Sequence, residues 1–242
     1  GVSRVKPIDW YSASGVSGTQ SANHYRDYDG HGTHVASTVA GRTMGWAKDA
    51  HIYSIKISGL EGTGDSGTGI PTSNCFDVIK GWHNNKPIDP ATGYKRPTIV
   101  NMSWGYSSSL SNTPTLGSFR GTAWTYGDAG FASDANLRDN AGILQKYYNS
   151  GVNRKINVRY TSIDTDIQEL INAGIHVCIA AGNSYYYIAA EGDQDWNNYA
   201  RMNGSNYYYH RGSSPYDTEA FMVGSLDVSY TSGKEQKSEF SC

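Results

Sequence analysis

The stretch DGHGTHVASTVAG, residues 29–41, decides the fold prediction. It places His31 directly after a glycine, at the start of a run of small and apolar residues with helical spacing. A helix that begins there holds the His31 imidazole on its first turn, free to accept a proton. General acid–base catalysis needs such a rigidly held side chain that titrates near neutral pH. The stretch therefore predicts a buried helix that packs tightly on a sheet, with His31 as a candidate base.

Two later segments carry strand-end motifs in a consistent order along the chain. The apolar strand TIV (98–100) leads into NMSWG (101–105), and VCIA (177–180) leads into AGN (181–183). Together with residues 29–41, these segments resemble the signatures of subtilisin-like serine proteases. The many tyrosines and the step GWAK (45–48) are most similar to divergent members of that family from phages or environmental sequences.

Apolar strand-like segments alternate with helix-like segments after His31, which indicates an α/β fold with a mainly parallel sheet buried on both faces. The resemblance implies the same three-layer arrangement, with helices on both faces and both ends incomplete. It also implies one partial catalytic domain over 1–242, with insertions at 106–160 and 184–217 that frame the substrate cleft. The insertion at 184–217 is predicted to be a long loop. Predicted helices cover 31–41, 70–84, 136–148 and 163–173, and predicted strands cover 51–57, 98–103, 175–180 and 220–225.

The resemblance assigns roles to individual residues. His31 is the catalytic base, and the Asn183 side-chain amide donates a hydrogen bond to the oxyanion of the tetrahedral intermediate. Gly182 leaves room beside it for a substrate side chain. The alternative for this turn is purely structural, since Asn and Gly both tolerate left-handed backbone angles.

The substrate is implied to be a polypeptide bound as an added strand. Ser103, Trp104 and Gly105 form one edge, to which main-chain hydrogen bonds give affinity with little sequence preference. Gly62, in LEGTG (60–64), belongs to the opposing segment. Trp104 replaces a smaller aliphatic residue common in the family and reshapes a subsite.

Two family motifs do not occur in this sequence. The catalytic aspartate of the family lies in an Asp-(Ser/Thr)-Gly turn well before the histidine, and the nucleophile lies in Gly-Thr-Ser-Met-Ala. Asp9 lacks the following Ser/Thr-Gly, Asp29 belongs to the glycine-rich lead-in, and Ser241 has no Gly-Thr before it. We therefore predict an internal fragment of a serine endopeptidase that is inactive alone. The alternative is a non-catalytic subtilase-like domain that binds peptides or has a structural role.

Composition limits the partners and cofactors. The formal net charge of −2 gives no electrostatic case for nucleic acid or an anionic membrane, and no apolar run reaches the length of a membrane span. Cys75, Cys178 and Cys242 are predicted to be free thiols, with Cys178 in the core. The resemblance suggests an extracellular or virion-associated protein.

Metal chemistry is the remaining alternative. His31 and His34 form an i,i+3 pair, but no HExxH pattern or neighbouring ligand supports a zinc hydrolase, and His34 is predicted to be a buried structural histidine. No cofactor is required by the predicted reaction. Calcium is possible at EGDQD (191–195), although a solvated acidic loop is the favoured interpretation.

Overall fold

The computed structural model describes residues 4–57, 69–110, 113–143, 146–148, 151–216, 218–231, 234–238 and 241. The chain divides into two compact units. The first comprises residues 1–100 and 166–176, and the second comprises residues 101–165 and 177–242. In the part of the chain that the structure describes, every helix is too short or too polar to cross a lipid bilayer.

The described helices and strands follow in chain order. The helices are α1 (Trp10–Ser14), α2 (His31–Ala40), α3 (Thr72–Asn85), α4 (Asp134–Ala141) and α5 (Thr161–Asn172). The strands are β1 (Ile99–Met102), β2 (Ser107–Leu110), β3 (Leu116–Phe119), β4 (Thr122–Thr125), β5 (Lys146–Tyr148), β6 (Gly151–Asn157), β7 (His176–Ala180), β8 (Tyr199–Met202), β9 (Ser205–Tyr207), β10 (Phe221–Val223), β11 (Leu226–Thr231) and β12 (Lys234–Lys237).

In the first unit, α1 and α3 pack together around an aromatic contact. Asp9 caps α1, because its side chain accepts a hydrogen bond from the Ser12 backbone N–H at 2.9 Å. Trp10 meets Trp82 of α3 edge-on, with ring centroids 5.5 Å apart. The inner face of α3 is buried through the apolar positions that predicted it, Cys75, Val78 and Ile79 among them. The helix prediction over 70–84 is confirmed within two residues.

Helix α2 begins at His31 as predicted, but the prediction that it is buried was wrong. Only Ala40 is buried, and Val39 is 40% exposed. The physical reason lies in the residues themselves: glycine, alanine and serine carry little apolar area, so they gain little free energy from being covered. Small residues permit close packing without requiring it.

The predicted strand over 51–57 is also wrong, since among the described residues this segment makes isolated bridges alone, Ile52 with Val5 and Ile57 with Ile70. Side chains from elsewhere in the first unit form hydrogen bonds with backbone groups of this segment that would otherwise pair with a neighbouring β-strand. The Trp10 indole N–H donates to the Ser54 carbonyl at 2.9 Å, and the Lys56 N–H donates to the ring of buried His24 at 3.3 Å.

A parallel sheet confirms the α/β prediction. Its strand order is β1-β7-β10, and β10 pairs with β7 in parallel, with Met222 opposite Ile179. Helix α5 ends where expected: Gly174 adopts φ +86° and its N–H bonds the Ile171 carbonyl at 2.8 Å. Strand β10 is shorter than predicted. Cys178 is only half-buried rather than in the core, and the described cysteines, Cys75 and Cys178, are free thiols as predicted.

The two predicted insertions contribute strands to one antiparallel sheet of the second unit. Its order is β4-β3-β8-β9, and β3 from the first insertion pairs with β8 from the second. Residues 184–217 are therefore more than the predicted loop. The core beside this sheet consists of Trp124, Leu137, Ala141, Ile143, Tyr186, Ala200, Met202 and Tyr209.

The predicted helix over 136–148 is only partly right. Ser133 caps α4, and Gly142 ends it with φ +64°, its N–H donating to the carbonyls of Arg138 and Leu137. The residues beyond it include β5, which pairs with β6. Ile143 extended the apolar pattern but is buried after the helix, because it belongs to the core of the second unit.

Candidate active site

His31 is the first residue of α2. The preceding Gly30 has φ +85°, a left-handed conformation that glycine adopts without strain, and this turn leads the chain into the helix. The His31 side chain is exposed. Because its imidazole is exposed, a reacting group outside the helix can come within hydrogen-bonding distance of it and transfer a proton to it.

Asp27 holds this turn together. Its carboxylate accepts hydrogen bonds from the Gly30 N–H at 2.9 Å and from the Thr33 N–H and hydroxyl at 2.7 and 2.6 Å. The Thr33 hydroxyl is the main cause that lowers the pKa of Asp27, and the backbone N–H bonds act in the same direction. This role of Asp27 was not predicted from the sequence. The available signal was an acidic residue placed just before a helix whose first residues offer unpaired N–H groups.

Two other candidate residues from the sequence, Asp9 and His34, have different roles in the structure. Asp9, considered as the triad acid, caps α1. His34 is exposed, which corrects its prediction as a buried histidine, because the helix that carries it forms but is mostly exposed. Among the described residues no group of three or more His, Cys, Asp or Glu side chains is placed to hold a metal ion.

In the second unit, Ser103, Trp104 and Gly105 follow directly after β1. The Asn101 amide donates to the Ser103 hydroxyl at 3.0 Å, and Trp104 meets Tyr106 edge-on at 5.3 Å. A Cβ atom added at Gly105 would lie 3.7 Å from the Ser213 hydroxyl, in ordinary van der Waals contact with that serine. Glycine keeps this face of the segment open.

Gly182 and Asn183 follow β7 in the same unit. The Ala181 N–H still bonds the Val223 carbonyl at 2.9 Å, and then Gly182 turns the chain with φ +106°. This turn leaves the Asn183 side chain exposed beyond the strand end. A shallow depression of about 150 Å³ lies among Asn101–Ser103, Cys178–Ala180 and Val223. The segment before Trp104 and the strand before Asn183 therefore line the same depression.

The remaining predicted site residues lie elsewhere. His31 belongs to the first unit and Asn183 to the second. That both face one cleft stays a prediction. Gly62 lies outside the described residues, so its place in an opposing segment also stays a prediction.

Two carboxylates of the acidic loop 191–195, those of Asp193 and Asp195, are hydrogen-bonded within the protein. Arg120 donates to both carboxylate oxygens of Asp195, at 2.8 and 3.1 Å, and this contact is the main cause that holds the pKa of Asp195 below its usual range. Asp193 accepts from the Ala190 N–H at 2.9 Å. These bonds occupy oxygens that a calcium ion would need.

Comparison with known families agrees with these features. A family model described as the subtilase family matches residues 6–241. The chain therefore belongs to the subtilase family, the class of protein that the parallel sheet and the segment around His31 indicate.

Curated relatives carry protease names. Subtilisin-like protease 5 of Arthroderma otae is 38% identical over 95 residues, which cover 38% of this chain and 22% of that protein. Alkaline proteinase of Hapsidospora chrysogena is 31% identical over 116 residues, covering 48% of this chain and 25% of that protein. The matched part of the chain thus spans about a quarter of these relatives' length. No solved structure matches the chain.

Proposed function

We propose that this chain is part of a serine endopeptidase that hydrolyses polypeptides through an acyl-enzyme. The observation that carries the proposal is the subtilase family match over residues 6–241, which includes a histidine at the first position of a helix. The subtilisin-like and alkaline protease names of the relatives support the same chemistry. An extracellular location fits this proposal, whereas nothing in the relatives named above supports a virion-associated protein.

His31 is the base in the proposed reaction. It takes the proton of a serine hydroxyl as that oxygen bonds to the substrate carbonyl carbon, and it later gives the proton to the leaving amine. Water then attacks the acyl-enzyme by the same route, which releases the acid product and restores the serine. An aspartate on the other imidazole nitrogen holds the correct tautomer.

Asn183 and the segment Ser103–Gly105 position the substrate in the proposed mechanism. The Asn183 amide donates to the oxygen of the tetrahedral intermediate, and its exposure beyond β7 makes it accessible for this role. The backbone of Ser103–Gly105 pairs with the peptide as an added strand, with Gly182 leaving space beside it. The reaction requires no cofactor, and calcium would act only as a structural ion.

The chain alone is proposed to be inactive, because its sequence contains neither Gly-Thr-Ser-Met-Ala nor an Asp-(Ser/Thr)-Gly turn before His31. A fluorophosphonate serine probe tests this. We expect no labelling of the 242-residue chain, and labelling of a longer gene product that supplies both motifs. That labelling should be lost on His31→Ala.

The other outcomes of the probe experiment are equally informative. Labelling of the 242-residue chain that is lost on His31→Ala would show that the active site is complete here. A longer gene product without the serine motif, and without labelling, would favour the non-catalytic subtilase-like domain that binds peptides.

A further inference from the structure

Two arginines in the second unit alternate with three aromatic rings, which we call the arginine–aromatic cluster: Arg159, Arg211, Trp196, Tyr208 and Tyr216. The Arg159 guanidinium lies 3.1 Å from the Tyr216 ring centroid and 5.0 Å from that of Trp196. The Arg211 guanidinium lies 4.9 Å from Trp196 and 3.7 Å from Tyr208. Stacking of this kind fixes the planes of both guanidinium groups.

Neutral acceptors complete the orientation of the two arginines. Arg159 donates through Nε to the Arg211 carbonyl at 3.0 Å, and its Nη2 donates to the same oxygen. Arg211 donates through Nε to the Trp196 carbonyl at 2.9 Å and through Nη2 to the Asn197 side chain at 2.8 Å. Among the residues that the structure describes, neither guanidinium has a carboxylate within ion-pair distance.

Two like charges are thus held close together, and the carboxylate that acts on Arg159, that of Asp164, lies beyond ion-pair distance. Burial is the main cause that lowers the pKa of Arg159, and the Arg211 charge lowers it further, while contacts with Tyr216 and the charge of Asp164 act in the opposite direction. A bound anion would relieve this repulsion, since charge-assisted hydrogen bonds to arginine are among the stronger ones in proteins.

A depression of about 300 Å³ opens beside the cluster. Its lining includes both arginines, Tyr208 and Asn157. Asn157 is only 7% exposed, and its Nδ2 has no hydrogen-bond partner among the residues that the structure describes. Buried amide donors are almost always paired in native structures, so this one points to an acceptor that a ligand would supply.

The depression is connected to the proposed peptide-binding segments within the same unit. The Asn157 Oδ1 accepts from the hydroxyl of Ser184, the residue after Asn183, at 3.3 Å. The Val158 N–H donates to the carbonyl of Tyr106, the residue after Gly105, at 3.1 Å. Two residues that line the depression, Asn157 and Val158, are therefore hydrogen-bonded to the neighbours in sequence of the proposed oxyanion donor and of the proposed substrate-binding segment.

We propose that this depression is a subsite that binds the carboxylate of an aspartate or glutamate side chain of a polypeptide. Planar guanidinium donors and a neutral amide donor suit a single carboxylate, and the volume is at the small end for ligand sites. The peptide origin of that carboxylate rests on the proposed function. The family resemblance does not supply this assignment, because the residues that line the depression come from the two insertions.

Calorimetric titration of the 242-residue chain tests the subsite. The probes are a capped Ala-Glu-Ala peptide, its Ala-Gln-Ala counterpart, succinate and inorganic phosphate. We expect the Glu peptide to bind at least about tenfold more tightly than the other three, with an affinity that falls as salt is added. Equal binding of the Glu and Gln peptides, or no saturable binding, would overturn the proposal. Phosphate binding as tightly would overturn the carboxylate assignment, and succinate binding as tightly would overturn the peptide origin.

Matched variants locate the binding. Arg211→Lys keeps the charge but loses the planar donor fork, so we expect Glu-peptide affinity to fall at least about fivefold. Arg201→Lys, at an exposed position of β8, should leave that affinity unchanged. Equal effects of the two variants would refute the site.

The two proposals fail independently. Titration needs no serine nucleophile, so a negative probe result with selective Glu-peptide binding would leave a non-catalytic peptide site. Positive labelling without Glu selectivity would remove the subsite alone.

Discussion

At the residue scale, the entry to α2 depends on one carboxylate. Asp27 bonds three donors around the Gly30 turn, whereas Asp29 makes a single long bond, from the His31 N–H at 3.3 Å. The N-terminus of a helix leaves four N–H groups unpaired and carries a partial positive charge. A carboxylate placed there accepts hydrogen bonds from such N–H groups, and its negative charge is attracted to the helix end. The proposed base is thus held by a residue that takes no part in the chemistry.

We predict that Asp27→Ala lowers the free energy of unfolding by about 1 kcal/mol, the usual loss for a helix cap. Urea unfolding followed by circular dichroism measures it. Asp29→Ala is the matched control and should lose less. The pKa of Asp27 is lowered in the folded state, so its contribution is present above pH 3.8 and lost as the pH falls through the folded value. The stability difference between wild type and Asp27→Ala should therefore shrink progressively as the pH is lowered below 3.8, and a difference that stays constant with falling pH would contradict the assignment.

At the element scale, α1 and α3 approach so closely that one glycine is required between them. A Cβ atom at Gly81 of α3 would lie 2.6 Å from the carbonyl oxygen and 2.9 Å from the Cβ of Ser14 in α1. Neither of these Ser14 atoms can be moved by rotation of the side chain, because one belongs to the backbone and the other is bonded directly to it. Packing between the two helices therefore overrides the intrinsic preference of a helix for alanine.

We predict that Gly81→Ala destabilises the protein by roughly 1–3 kcal/mol, the usual cost of overpacking, although alanine in an exposed helix gains up to about 1 kcal/mol over glycine. The change is measured by urea unfolding followed by tryptophan fluorescence, to which Trp10 and Trp82 at this contact contribute. Asn84→Ala is the control, because this exposed position of α3 gains helix propensity without a clash. A Gly81→Ala variant as stable as the wild type would show that α1 can move away.

At the scale of the whole molecule, the proposed mechanism requires residues from the two units to act on one reacting carbonyl. His31 takes the proton in this mechanism and Asn183 donates to the oxyanion. Such groups act as one unit, so the effects of removing them do not add. Kinetic measurements can therefore test whether His31 and Asn183 act on the same reacting carbonyl.

We predict that Asn183→Ala lowers kcat about 10²–10³-fold with little change in KM, the loss typical of this donor in subtilisin-type proteases. Peptide hydrolysis is measured in a gene product that supplies the serine. The His31→Ala,Asn183→Ala double variant should be little worse than His31→Ala alone. Fully additive losses would indicate that the two residues act on different steps, and Arg201→Ala controls for general damage.

The sequence by itself determined the family, the start of α2 at His31, and helices α3 and α5. These follow from local patterns: side-chain spacing, a helix-ending glycine and a motif contiguous in the chain. It also indicated the strands β1 and β7, whose ends carry Ser103–Gly105 and Asn183. Local signals of this kind need no knowledge of the rest of the fold.

Only the tertiary structure decided the pairing of β3 with β8, the exposure of α2, and the arginine–aromatic cluster. Each depends on residues far apart in sequence, such as Arg159 and Tyr216, whose contact no local pattern encodes. The same holds for residues 51–57, where Trp10 and His24 take backbone groups that an alternating pattern assigned to a sheet. Periodicity reports which faces are apolar, but contacts across the chain decide what covers them.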